Sequence, residues 1–203
     1  MNLGSIIARF FAVLLLIASL PFLLAVLIAI KLEDRGPLIF LQKRAGKGKK
    51  PFTMYKIRTM MVGAERLKKK YLHLNEADGP VFKIRNDPRY TKVGKILART
   101  GLDELPQLIN VIKGEMAFIG PRPLPLDEAR GIPKAVSKRF SVLPGITSSW
   151  VVRGAHNLSF SEWMKLDLEY VKRKSFLKDM EIIIGTFRVI LKEAMSILKL
   201  KWD

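Results

Sequence analysis

The stretch FFAVLLLIASLPFLLAVLIAI, residues 10–30, decides how the rest of the chain is read. Its 21 consecutive positions carry no charge, and only Ser19 and Pro21 interrupt their apolar character. A helix of that length crosses the roughly 30 Å hydrocarbon core of a bilayer. A cleaved signal peptide is the competing reading, but the apolar run is too long for one, its N-terminal flank carries only Arg9, and no small-x-small cleavage site precedes the charges beyond it. Lys43, Arg44, Lys47, Lys49 and Lys50 follow closely. By the positive-inside rule they assign the remainder to the cytoplasm. Pro21 sits mid-run, where it lacks a donor for the Ile17 carbonyl and its ring clashes there, so a kink is expected that Ser19 can help satisfy. Two shapes follow: a tilted spanning helix, or a re-entrant hairpin of two half-helices that enters and leaves by one face.

Outside that run, 203 residues suffice for one cytoplasmic domain, expected over 32–203, with 1–31 inserted in the membrane. The chain has no cysteine, which excludes disulfides, thiolate metal sites and thiol nucleophiles, and His73 and His156 alone make no zinc site. With 36 Lys+Arg against 18 Asp+Glu, a net charge of +18, the partner is anionic: nucleic acid, acidic headgroups or a phosphorylated small molecule.

Leu38–Gln42 and Phe52–Thr59 read as strands flanking AGKGKKP, a polar turn, and so predict a β-hairpin. Period two puts Met54, Lys56 and Arg58 on one side of the second strand. Two cations so spaced suit a diphosphate, although a solvated basic strand is the plainer reading. Gly46-Lys47-Gly48 lacks the spacing of a phosphate loop. Residues 63–80 read as a helix and a polar loop, and Tyr90–Thr100 as a helix ended by Gly101. Asp103 then falls at or beside the N-cap of a helix running to about Lys113, with Gly114 as its stop. A cap explains one acid, worth roughly 1 kcal/mol. It leaves Glu104 unexplained, and adjacent carboxylates at a helix N-terminus near Arg99 are where magnesium and phosphates can meet.

KIRTM (56–60), RTGLDELPQLINVIKGEMAFIGPRPL (99–124), LPGIT (143–147) and YVKRKSFLKDMEIIIGTFRVIL (170–191) resemble the bacterial sugar transferases called small monotopic phosphoglycosyl transferases. The likeness covers essentially the whole chain. It implies transfer of a sugar phosphate from a UDP-sugar to polyprenol (undecaprenyl) phosphate at the cytoplasmic face of the bacterial inner membrane, with release of UMP. It further implies an α+β fold, mostly helical, with a re-entrant hairpin broken at Ser19 and Pro21 and interfacial amphipathic helices. By the same resemblance Asp103 is the nucleophile, Glu104 assists with Mg2+ or proton transfer, and Arg122 of GPRP grips phosphate. Lys56 and Arg58 take the family's basic strand positions, whereas Arg99 only approximates its expected place. The family commonly continues PGIT with Gly-hydrophobic-Trp-Gln-Val-x-Gly-Arg-Asn. This chain has SSWVVRGAH there, so the donor sugar stays open, and Arg153 or His156 is expected to supply contacts that the missing side chains would make.

Near the C-terminus, Met180, Ile183, Ile184, Phe187, Ile190, Leu191, Ala194 and Leu198 form one apolar stripe. That helix packs on the core or lies against anionic lipids. A second function class is a non-catalytic, membrane-tethered protein whose basic surface binds acidic lipid or nucleic acid. It accounts for the charge and the anchor but not for Asp103-Glu104, and the basic runs lack the interleaved aromatics of a nucleic-acid surface. A homodimer is compatible with either class.

Overall fold

The apolar run folds as α1, Leu3–Glu33, helical without interruption through Pro21. It is the one helix among the described residues long and apolar enough to cross a membrane. The computed structural model describes residues 3–154 and 158–199, without the side chains of Leu198 and Lys199. Ser19 does not reach the Ile17 carbonyl that Pro21 leaves without a donor; its hydroxyl donates to Leu16 O at 2.8 Å.

One stripe of α1 is buried while the remainder is exposed. Ala12 packs with Phe52, Met54, Leu108, Val111 and Met116, and Leu23, Val26 and Ile30 pack with Ile57 and Leu97. Ala12 and Ile30 would stand roughly 27 Å apart on a straight helix. Both halves of α1 therefore rest on the same domain. Its other faces expose Phe10, Phe11, Leu14, Ile17, Leu20, Leu24 and Ile28.

The hairpin forms as expected. Strands β1, Ile39–Ala45, and β2, Pro51–Ile57, pair antiparallel with Leu41 opposite Tyr55 and Lys43 opposite Thr53. A 3-10 turn over Lys47–Lys49 joins them, with Gly48 at φ 65°. The helix expected in 63–80 shrinks to α2, Ala64–Leu67, and a 3-10 turn at Leu72–Leu74. Only Ala64 is buried in α2, so the run Lys68–Lys70 has no apolar face to offset its charge repulsion. The polar loop beyond is closed by Asn75, whose Oδ1 accepts from Ala77 N and Lys83 N.

Helix α3, Lys92–Thr100, is capped by Thr91 and ends at Gly101 in the left-handed region, φ 71°. Glu33, at the end of α1, also accepts from Lys92 N at 2.6 Å and Val93 N at 3.1 Å. Two acidic or hydroxyl acceptors thus serve the donors at this helix start. Gly94 lies so close to the chain leaving β2 that an added Cβ would meet Thr59 O at 1.9 Å. Backbone cannot yield as a side-chain tip can. Gly94→Ala is expected to cost about 2–3 kcal/mol and to lower the thermal midpoint in detergent by roughly 5–10 °C.

The helix expected from Asp103 is split. Leu102–Gln107 is a 3-10 turn containing Pro106, followed by α4, Leu108–Lys113, which Gly114 ends at φ 76°. Strand β3, Ala117–Ile119, then leads into helix α5, Leu126–Arg130, and a 3-10 stretch over Lys134–Ser141. Strand β4, Gly145–Thr147, pairs parallel with β3, and α6, Ser149–Val152, follows it directly. Helices α7, Phe160–Arg173, and α8, Phe176–Lys199, complete the described residues. Helix α8 presents two different faces, one packed on the core and one exposed. Ile182, absent from the expected stripe, is buried with Ile119 and Tyr170, and Thr186 bonds Thr147 at 2.6 Å. Ile183, Ile184, Phe187, Leu191 and Met195 are exposed.

Candidate active site

Asp103 does not cap a helix. Gly101 takes the cap position with no side-chain bond, and the Asp103 side chain turns inward instead, leaving 1 % of the residue accessible. There Lys56 Nζ, from β2, meets Asp103 Oδ2 at 2.6 Å and stands 3.8 Å from Glu104 Oε1. Arg122 Nη1 donates to that same Glu104 oxygen at 3.0 Å. Two acids adjacent in sequence are thus clasped by two cations brought from 47 residues earlier and 18 residues later in the chain.

Charge regulation differs between the two acids. Burial pushes the Asp103 carboxyl above the usual range, Lys56 opposing and the charge on Glu104 adding to the rise. Burial works against ionised Glu104 too, but Arg122 and then Lys56 hold its carboxyl below the usual range. Desolvation likewise disfavours the Lys56 ammonium, yet Asp103 and then Glu104 keep it more firmly protonated than a free lysine. A buried acid whose pKa is raised beside one whose pKa is lowered is an arrangement suited to separate chemical roles.

The elements that hold this clasp are local and rigid. Asn110, fully buried in α4, accepts from Tyr55 N at 3.1 Å and donates to Thr53 O at 2.7 Å, which fixes α4 and the turn before it against β2. Pro121 and Pro123 have no N–H, so the segment around Arg122 is tied through its carbonyls. Gly145 N donates to Pro121 O at 3.1 Å, Arg139 Nη2 to Arg122 O at 2.9 Å and Arg44 Nη1 to Pro123 O at 2.9 Å.

Several expected residues lie elsewhere. Arg58 is spent at the exit of α1, where it pairs with Asp34 at 2.6 Å and donates to the carbonyls of Pro37, Met60 and Asp34. β2 ends at Ile57, so strand alternation no longer holds Arg58 beside Lys56. Arg99 binds Glu193 at 3.0 Å and Ser196 at 2.9 Å, both on α8. Arg153 lies in a groove with Tyr170, Lys178 and Glu181, and its charge acts on the Glu181 carboxyl. His156 lies outside the described residues.

Other groups join the site unannounced. Arg44 is pushed down to about 10, by burial first and by the charge of Arg122 next, and Glu104 is among the acids that oppose this. Tyr90 is pushed up by burial, with Lys56, Asp103 and Arg122 all acting on its hydroxyl. Trp150 presents its ring to Arg122, whose guanidinium carbon is 5.4 Å from the ring centroid. The paired glycines and prolines of GPRP and LPGIT mark rigid backbone around these groups, the one signal of them in the sequence.

Residues 3–193 match the model of the family described as bacterial sugar transferase. The chain belongs to that family. It is 42 % identical over 160 residues to the galactosyl transferase CpsE of Streptococcus agalactiae, covering 78 % of this transferase and 36 % of the relative. Identity to the exopolysaccharide production protein ExoY of Sinorhizobium fredii is 34 % over 183 residues, 88 % of this transferase and 81 % of the relative. The undecaprenyl-phosphate galactose phosphotransferase of Salmonella typhimurium is 36 % identical over 168 residues, 79 % of this transferase and 34 % of the relative. This transferase therefore spans about a third of some relatives and about four-fifths of others.

Proposed function

We propose that this transferase moves a sugar 1-phosphate from a UDP-sugar to polyprenyl phosphate and releases UMP, as the first membrane step of a surface glycan. The observation that carries the reading is the buried Asp103 carboxylate, ion-paired to Lys56 at 2.6 Å, beside Glu104 held by Arg122 at 3.0 Å. In the first half-step Asp103 attacks the phosphorus that bears the sugar, and the bond from that phosphorus to the bridging oxygen breaks. UMP leaves with the electron pair. In the second, a phosphate oxygen of the lipid attacks the aspartyl phosphosugar, which frees Asp103 and leaves a polyprenyl diphosphate-sugar. Lys56 and Arg122 offset the charge of the diphosphate as it nears two carboxylates. A basic, non-catalytic tether has no use for a carboxylate taken out of water at such cost.

Mg2+ fits the donor set: two adjacent carboxylates are what this ion takes from a protein when substrate phosphates supply other ligands, and the described residues hold no third acid beside them. Asp103 and Glu104 would hold it, and once bound it would neutralise phosphate charge. Release of UMP from a panel of UDP-sugars, with and without polyprenyl phosphate, tests the activity and identifies the donor. No release from any UDP-sugar would refute it.

The membrane arrangement belongs to the same proposal. With Ala12 and Ile30 both packed on one domain, a straight spanning α1 would carry that domain into the bilayer. An unbroken α1 lying shallow in one leaflet, in place of the expected hairpin of two half-helices, keeps the domain at the cytoplasmic face of the inner membrane. The exposed apolar residues of α8 rest against anionic lipid beside it. The chain has no cysteine, so a single Leu3→Cys provides a clean probe. An impermeant thiol reagent outside sealed cells is expected to leave it unlabelled until the membrane is opened; labelling from outside would establish a spanning helix.

A further inference from the structure

Arg122 is gripped twice by one block of the structure. Its carbonyl accepts from Arg139 Nη2 at 2.9 Å, and its guanidinium lies over the Trp150 ring. Arg139 is itself fixed by Asp167 of α7, whose Oδ2 accepts from Arg139 Nε at 2.9 Å and from Nη2 at 2.6 Å. Trp150 of α6 stacks on Trp163 of α7, ring centroids 4.9 Å apart at 28°. The circuit closes because Arg139 also lies 5.7 Å from the Trp163 ring. Main chain and side chain of Arg122 are therefore anchored to the same helix, α7, by separate routes.

A purely structural account of this block meets a difficulty. Arg139 and Asp167 are buried to 2 % and 1 % accessibility, and a buried ion pair stabilises a core no better than apolar residues of similar volume. Its third hydrogen bond, moreover, goes to the one residue of Pro121-Arg122-Pro123 that carries a charge toward Glu104. A flexible arginine between two prolines that cannot join a ladder needs such external tethers before its fork is held still.

We infer that the Arg139–Asp167 pair and the stacked Trp150–Trp163 rings form a brace that presents Arg122 to the donor phosphates, so that Trp150 and Asp167 are positioning residues acting through Arg122. The inference rests on the proposed transfer reaction and adds to it the residues that orient its phosphate grip. Misplacing such a group by about 1 Å costs on the order of 10²-fold in rate. Trp150→Leu removes the ring from under the guanidinium, whereas Trp150→Phe leaves an aromatic face there.

A double-mutant cycle tests this, with UMP release from the active UDP-sugar read as kcat and KM. Arg122→Ala alone is expected to lose on the order of 10²-fold in kcat/KM. In the parent protein Trp150→Leu should lose about 10-fold or more. On the Arg122→Ala background it should lose less than about twofold, because two residues acting through one grip are not additive. Trp150→Phe should retain most of the activity. Asp167→Asn, which keeps the shape of the side chain, should follow the same non-additive pattern. Equal losses on both backgrounds would overturn the brace and leave the reaction standing. Activity of Arg122→Ala within about threefold of the parent would instead remove Arg122 from the reaction, and the brace with it. Should Trp150→Leu fail to fold, Trp150→Phe and Asp167→Asn decide the cycle by the same comparison.

Discussion

Asp103→Asn is expected to give a folded, membrane-bound protein that releases no UMP and takes up no sugar phosphate, a loss on the order of 10⁴-fold or more. Asparagine occupies the same volume in a site that is 1 % accessible, and it retains an oxygen for Lys56. Lys56 also keeps Glu104 at 3.8 Å, so its ammonium is not left without a partner charge. The parent protein, mixed with donor alone, should release UMP in a burst matching the enzyme present and gain the mass of a sugar phosphate on Asp103. Polyprenyl phosphate should then remove that mass. Because burial pushes the Asp103 carboxyl up, the burst should fade on acidification at a pH above the ordinary aspartate range. The sign is simple: the attacking form is the carboxylate, and protonation withdraws it. Normal turnover with acceptor and no adduct on the protein would mean that the lipid phosphate attacks the donor directly.

Much of the architecture was legible because local signals carry it. The apolar run, the Gly-containing turn between two β-rich stretches, Gly101 and Gly114 as helix ends and the 3.6-residue stripe near the C-terminus are each written within one continuous stretch of sequence. What could not be read locally was which cation meets which acid. Lys56 and Arg58 are equivalent by alternation, yet only Lys56 reaches the pair, since β2 ends before Arg58 and Asp34 claims it. Arg99 stands nearest in sequence and is drawn to Glu193 on α8. Arg44 and Trp150 reach the site by tertiary packing, and the rigid backbone that GPRP and LPGIT mark nearby does not single out either side chain. The cap reading of Asp103 failed for a related reason. Capping is a local preference worth roughly 1 kcal/mol, and an ion pair with a lysine delivered by β2 outweighed it. Ile182 was missed because one stripe was sought on α8 where the fold uses two faces.

The same contrast sets the last expectation. Lys56→Gln should reduce the burst on the order of 10²-fold at neutral pH and shift its acid limb upward, whereas Arg58→Gln should lower thermal stability without moving that limb. Lys56 is the cation in contact with Asp103, and of the charges that favour the ionised carboxyl it acts most strongly. Without it, burial and the charge on Glu104 both push the Asp103 pKa higher, and a carboxyl so placed takes up a proton rather than remain an unpaired buried anion. Activity should accordingly recover as pH is raised. Arg58 has its fork on Asp34 and three backbone carbonyls at the foot of α1, so its loss loosens the junction between helix and hairpin. A burst in Lys56→Gln that is uniformly weaker at every pH, with its limb unmoved, would show that Lys56 serves the donor phosphates alone and does not set the ionisation of the nucleophile.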